Sequence, residues 1–223
     1  MANLIMDLNK EGIKSTLLQL PFDQGKQLLE MYGFRITSLE DMAKLRIEEG
    51  LNSKISQFGN LVTEGCLYLP DGIFITKNSP IMLAPIKATN HFRKNPSSQV
   101  QGTNFEMIRE KKYYLSERDV EFALINSIKL PDNNISIPVN TFNDCNITRF
   151  IFGPYAKDYG KFLEKAGIDK MSIYTAGLEK EPFVVQMWFS GVNNNSRAKS
   201  SIHGINNDLS ICNTLRGISS LYY

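Results

Sequence analysis

The feature that most restricts how this chain can fold is the stretch SGVNNNSRAKSSIHGINNDLSICNT, residues 190–214. Eleven of its 25 residues are Asn or Ser, mixed with isolated Ile, Val, His, Cys and Thr residues in neither a helical nor a strand period. Composition of this kind ordinarily makes a mobile loop. Here it stands between an apolar strand pattern, PFVVQMWF, and the ordered-looking run Leu215-Arg216-Gly217-Ile218. Residues with structural roles also recur along it: Trp188 just before, Gly191, Arg197, Gly204 and Leu209 within, and Leu215, Arg216 and Gly217 at its close. A fold that accommodates such a segment must hold it at those points and leave the intervening side chains outside.

The remainder of the chain can supply that frame. With 223 residues, 42% of them apolar, it can bury a core as one large domain or two modest ones. Residues 1–60 read as helical, from Leu17, Leu18 and Leu20, then Leu28, Leu29 and Met31 around Pro21, followed by a second helix capped at Thr37 or Ser38. From Cys66 the period becomes two, and Pro70-Asp71-Gly72 predicts a hairpin turn. PIMLAPIKA is expected to extend that sheet, and KNPSSQVQGTN (94–104) to be a linker dividing a helical/β region, 1–104, from a second unit, 105–223. The second unit reads as α+β: a helix capped by Ser116, strands in NISIPVNTF and ITRFIFG, and a helix after Pro154 ending near Gly167. The strands MSIYTA and PFVVQMWF complete it.

Charge and motif content narrow the function classes. Twenty-five basic and 23 acidic residues balance to +2 without a cluster able to neutralise a row of phosphates, so no nucleic-acid partner is expected. No window is long and apolar enough to span a membrane, and the first residues lack a signal-peptide pattern, which leaves localisation open. Cys66, Cys145 and Cys212 are too few and too scattered for a disulfide framework or zinc site. His91 and His203 stand outside any metal motif, so no metal or cofactor is expected. The nucleotide-binding and nucleophile-elbow fingerprints are absent. Cys145 with His203 is the one nucleophile–base pair to weigh. The plainer reading, a core-side thiol and a surface imidazole, is preferred because nothing nearby activates either. His91 with Phe92, Arg93 and Lys94 forms a small basic-aromatic patch that a solvated strand end explains as well as an anion site does.

The segment from Gln186 to Ser220 resembles the variable region of diversity-generating retroelement variable proteins, most of all their archaeal and archaeal-virus members. The matching marks are Trp188 on a strand, Gly191, an Asn-rich run with Arg197, and Arg216-Gly217 near the C-terminus. The resemblance implies a C-type-lectin fold in the C-terminal half, with the Ser116 and Pro154 helices flanking antiparallel sheets, and an anchored loop system as the binding face. It also implies a genetic origin for the composition, since error-prone copying at the adenines of Asn codons yields small, polar and scattered apolar residues but never a stop. On that basis the varying, ligand-contacting positions are Val192, Asn193, Asn194, Ser196, Ala198, Ser201, Ile202, His203, Ile205, Asn206, Asp208, Ser210, Ile211, Cys212, Asn213 and Thr214. Ser190, Asn195, Lys199, Ser200 and Asn207 stay undecided.

The implied function is non-enzymatic binding of a protein or cell-surface ligand, with attachment of a virus to its host as the setting. Two other readings compete. One is a structural or assembly protein of a particle with a constant Asn/Ser-rich loop. The other is a relative of formylglycine-generating enzymes, disfavoured because Cys212 alone falls in the C-terminal segment. The family name carries no calcium, because the EPN and WND triplets of calcium-dependent lectins are missing.

Overall fold

The computed structural model describes residues 5–8, 14–94, 112–192, 200–205 and 207–219, with side chains from Ser15 onward. Its elements run β1 (Ile5–Leu8), β2 (Lys14–Leu20), α1 (Phe22–Met31), β3 (Phe34–Ile36), α2 (Leu39–Glu49), α3 (Lys54–Gln57), β4 (Asn60–Leu69) and β5 (Gly72–Thr76). There follow α4 (Pro80–Leu83), α5 (Pro85–Lys94), β6 (Tyr113–Tyr114), α6 (Glu117–Leu124), β7 (Ser127–Lys129) and β8 (Ile135–Pro138). The last are α7 (Asn146–Phe152), α8 (Ala156–Lys165), β9 (Lys170–Thr175), β10 (Phe183–Phe189), β11 (Ser200–Gly204) and β12 (Asn213–Ser219). Their main path across one sheet is β1-β2-β12-β4-β10-β11-β9-β8, with β3, β5, β6 and β7 joining at its sides.

Local signals place several of these elements. Ser38 accepts from Asp41 N while Asp41 accepts from Ser38 N, a capping box that starts α2. Ser116 and Asp119 repeat the device at α6. The Pro70-Asp71 turn joins β4 to β5, which pair from Leu69 opposite Gly72 to Gly65 opposite Thr76. In α8, Tyr159, Phe162 and Leu163 are buried on one face, and Gly167 follows at φ +75°, a left-handed conformation suited to glycine.

Four expectations change. Leu17, Leu18 and Leu20 lie on a strand, because β2 pairs with β12 on one side and β1 on the other; long-range pairing outweighs helix-like spacing. PIMLAPIKA forms α4 and α5, whose starts carry Pro80 and Pro85, positions where a missing N–H costs a helix nothing. The patch around His91 therefore lies on a helix: Phe92 is buried, and Arg93 bonds both carboxylate oxygens of Asp23 at 3.0 Å. ITRFIFG belongs to α7, where Ile147 and Ile151, one helical turn apart, both face the core; a short apolar run does not by itself distinguish the two periods.

The division near residue 104 also gives way. Strands from both sides of it share the sheet, β4 pairing with β10 and β2 with β12. The main core joins Leu39, Met42 and Val62 from the first half to Phe152, Tyr159 and Phe189 from the second. The helix grouping differs accordingly: α8 packs with α7 and with α2, a first-half helix, while α6 lies against α4 and, through Ala123, beside Leu67 and Leu69 of β4. Residues 95–104 lie outside the described residues.

Candidate ligand-binding face

Residues 190–214 contribute β11 and the start of β12 to the sheet, and the frame grips them at several buried points. At the end of β10, Arg46 of α2, fully buried, stacks on Phe189 at 4.1 Å from the ring centre. It donates to Ser190 O at 2.7 Å, to Tyr159 OH at 2.9 Å and to Ile55 O at 3.2 Å. Next along the chain, Val192 N donates to Ser56 O at 2.6 Å. Gly191 passes so close to α3 that a Cβ there would meet Gln57 O at 2.1 Å. Beyond β11, the hydroxyl of Tyr68 donates to Gly204 O at 2.8 Å and accepts from Ala176 N at 2.9 Å, tying the ends of β11 and β9 together. Leu209 is buried, and its carbonyl accepts from Phe22 N at 3.0 Å. Leu215 and Arg216 are fully buried in β12, between β2 and β4.

Between these anchors the chain forms a shallow depression of about 470 Å³. Strands β10 and β11 supply Trp188 and His203, register partners on adjacent antiparallel strands and therefore on one face of the sheet. The following segment supplies Ile205, Asn207 and Cys212, and β12 supplies Asn213 and Thr214. His203 is also in register with Tyr174 of β9, the two rings 5.0 Å apart, so three rings stand in a row across three strands. Burial pushes the His203 imidazole below its ordinary pKa, toward the neutral form, and Ser201 Oγ lies 2.8 Å from its Nε2.

The rim is internally tied. Asn207 Nδ2 donates to the carbonyls of Gln186 and His203, and Asn213 Nδ2 to those of Asp208, at 2.7 Å, and Ile211, at 3.0 Å. Asp208 Oδ1 accepts from Ser210 N at 2.9 Å and from its hydroxyl at 2.6 Å, the local bonding of an Asx turn. Ile211, 58% exposed, and Cys212 face solvent.

The positions expected to vary therefore fall into three groups. His203, Ile205, Cys212, Asn213 and Thr214 meet at the depression, with Asp208, Ser210 and Ile211 on the adjoining turn. Val192, Ser201 and Ile202 are a correction: they are 2%, 9% and 0% exposed, and Val192 and Ile202 join the main core, so they cannot present a side chain to a ligand. For Ile202 the cause is strand alternation, which turns it inward next to outward His203. Asn193, Asn194, Ser196, Arg197, Ala198 and Asn206 lie outside the described residues.

Three residues of this region escape the sequence reading. Tyr174 had a legible signal, an aromatic on the polar side of the alternating MSIYTA strand. Arg46 had a weaker one, an Arg one helical turn after Met42 on the apolar stripe of α2. Tyr68 had none, because its role depends on strands distant in sequence. The thiols sit in unlike surroundings: Cys66 is buried, which pushes its pKa up to about 12, Cys145 precedes α7 against the core, and Cys212 is exposed. Cys145 shares no element with His203, whose ring is engaged by Ser201 and Tyr174. Among the described residues no group of three or more His, Cys, Asp or Glu is placed to hold a metal ion, and no helix is long and apolar enough to cross a membrane.

Among solved structures, the chain is similar to one from Nanoarchaeota that concerns the accommodation of massive sequence variation by the C-type lectin fold. The TM-score is 0.64 at 12% identity, over 96% of this chain and 99% of that one. The chain has a C-type lectin fold. The lectin fold takes in the first half of the chain as well as the second, in keeping with the sheet and core that both halves share. No protein-family model and no curated protein matches the chain.

Proposed function

We propose that this lectin-fold protein is a non-enzymatic ligand-binding protein whose C-terminal face is diversified by retroelement mutagenesis at adenines, for recognition of a host or cell surface. One observation carries the reading. Of the seven described residues lining the depression, five (His203, Ile205, Cys212, Asn213 and Thr214) are positions expected to vary, each of a type that adenine mutagenesis of Asn codons generates. A sixth is the framing Trp188. The Nanoarchaeota neighbour adds support, since its fold is one that accommodates massive sequence variation.

The physical logic is a division of labour. Substitutions at exposed positions usually change stability by within about 0.5 kcal/mol, so a face whose backbone is fixed from beneath can change sequence without unfolding. Arg46, Tyr68 and Leu215 provide that fixing here from elements outside the depression or from its buried side. Binding then depends on the side chains currently displayed, as in antibody loops.

Sequencing this gene and its flanks from many independent isolates tests the proposal. Substitutions are expected at the codons for His203, Ile205, Cys212, Asn213 and Thr214, matching adenines of a nearby template repeat, while Trp188, Gly191, Gly204 and Arg216 stay constant. The buried Val192 and Ile202 are expected to change only among apolar residues. A constant stretch with no neighbouring reverse transcriptase would sink the proposal and favour an invariant loop of an assembly protein.

A further inference from the structure

The depression beside Trp188 has a definite chemical character. Among the described residues no Asp, Glu, Lys or Arg lines it, and burial favours the neutral form of the imidazole of His203. A charged group entering it would lose hydration without gaining a counter-charge. What it offers an incoming group is ring surface: Trp188 and His203 lie side by side by strand register, and Tyr174 continues the row behind His203 at 5.0 Å. Such surfaces favour another ring in offset-stacked or edge-to-face contact.

The polar atoms are more selective still. The two side-chain amides among the described lining residues have committed their N–H groups to the protein's own backbone. Asn207 Nδ2 donates to Gln186 O and His203 O, and Asn213 Nδ2 to Asp208 O and Ile211 O. All four partners are backbone carbonyls, which accept only, so they also fix which end of each amide is nitrogen. Each amide, on a residue that lines the depression, therefore keeps only its acceptor oxygen uncommitted. At these two amides a ligand that only accepts hydrogen bonds would face oxygen with oxygen. A ligand with a donor would be matched.

We infer that this depression takes a neutral aromatic ring carrying an O–H or N–H donor, the group that an exposed tyrosine or tryptophan side chain of a partner protein presents. The inference rests on the reading of this face as a ligand site and narrows what that site accepts. It also assigns a role to Tyr174, which lies outside the stretch expected to vary: it extends the ring row, so part of the recognition would stay the same as the rim changes.

The chain's only tryptophan is Trp188, so its indole N–H gives a single cross-peak in a proton–nitrogen correlation spectrum and reports directly on the site. The probes are p-cresol, toluene and methyl β-glucoside, each titrated into the full chain. For p-cresol a saturable shift of that peak is expected at millimolar concentration, the range open to so small a ligand. Toluene, which lacks the donor, should bind about tenfold more weakly, the value of one hydrogen bond. Methyl β-glucoside should leave the peak in place. Cys212→Phe, at an exposed lining position, should fill the depression and abolish the p-cresol response with the melting temperature unchanged. Tyr174→Ala, which leaves the lining intact, should weaken p-cresol by about threefold. Equal shifts with toluene would overturn the donor requirement. A glucoside response without a p-cresol response would overturn the ring class, as would silence from every probe. None of these results bears on whether the rim codons vary, which sequencing decides separately.

Discussion

Leu215 and Ile211 are four residues apart in one C-terminal segment, yet Leu215 is fully buried and Ile211 is 58% exposed. Leu215 sits in β12 opposite Leu18 of β2 and Leu61 of β4, so strands from the far end of the chain close over it. Ile211 follows a turn in which Asp208 Oδ1 accepts from Ser210 N and from its hydroxyl. Backbone order at the rim thus comes from local polar bonds and deep anchors, and the side chains between them carry little of the stability. That separation is what a surface needs if its sequence is to change while its shape is kept.

The sharpest attempt to break this contrast is to truncate its buried side. Leu215→Ala and Ile202→Ala should each cost about 2–5 kcal/mol by urea denaturation, the range for emptying a packed core site. A cost near zero at either would show that the frame does not depend on it. A smaller but pH-dependent effect belongs to Glu64, which is 1% exposed and accepts from Leu39 N at the start of α2 at 3.0 Å. Burial raises its pKa from 4.5 to about 7. The folded state therefore binds the proton more tightly than the unfolded chain, so stability is fully present below pH 4.5 and falls as pH rises through 7. The total is on the order of 3 kcal/mol. Glu64→Gln should flatten that slope in denaturation curves taken between those pH values; an unchanged slope would assign it to other groups.

Gly204→Ala comes next. Its Cβ would stand 2.6 Å from Cys66 Cβ, and overpacking of this kind costs about 1–3 kcal/mol. The smallest effects should come from the rim: Ile211→Ala and Cys212→Ser should shift the unfolding midpoint by no more than about 0.5 kcal/mol. Large losses there would mean that the rim is part of the core and would remove the basis for a tolerant face.

Where sequence reading succeeded, the deciding interactions were local. Ser38 with Asp41 and Ser116 with Asp119 are capping signals confined to one helical turn, and Pro70-Asp71-Gly72 specifies a turn within its own residues. The anchoring character of Leu209, Leu215 and Gly204 was also legible, as apolar or small residues spaced through a polar stretch. By itself, then, the sequence determined the caps, the hairpin, the α8 stripe and several buried anchors of the C-terminal segment. Only the tertiary structure decided that residues 14–20 form a strand, that ITRFIFG forms a helix and that both halves share one core. It alone turned Ile202 inward and brought Tyr174 beside His203. The reason is physical: strand pairing and burial depend on partners as far apart as Leu18 and Leu215, and no local pattern at either end specifies the other.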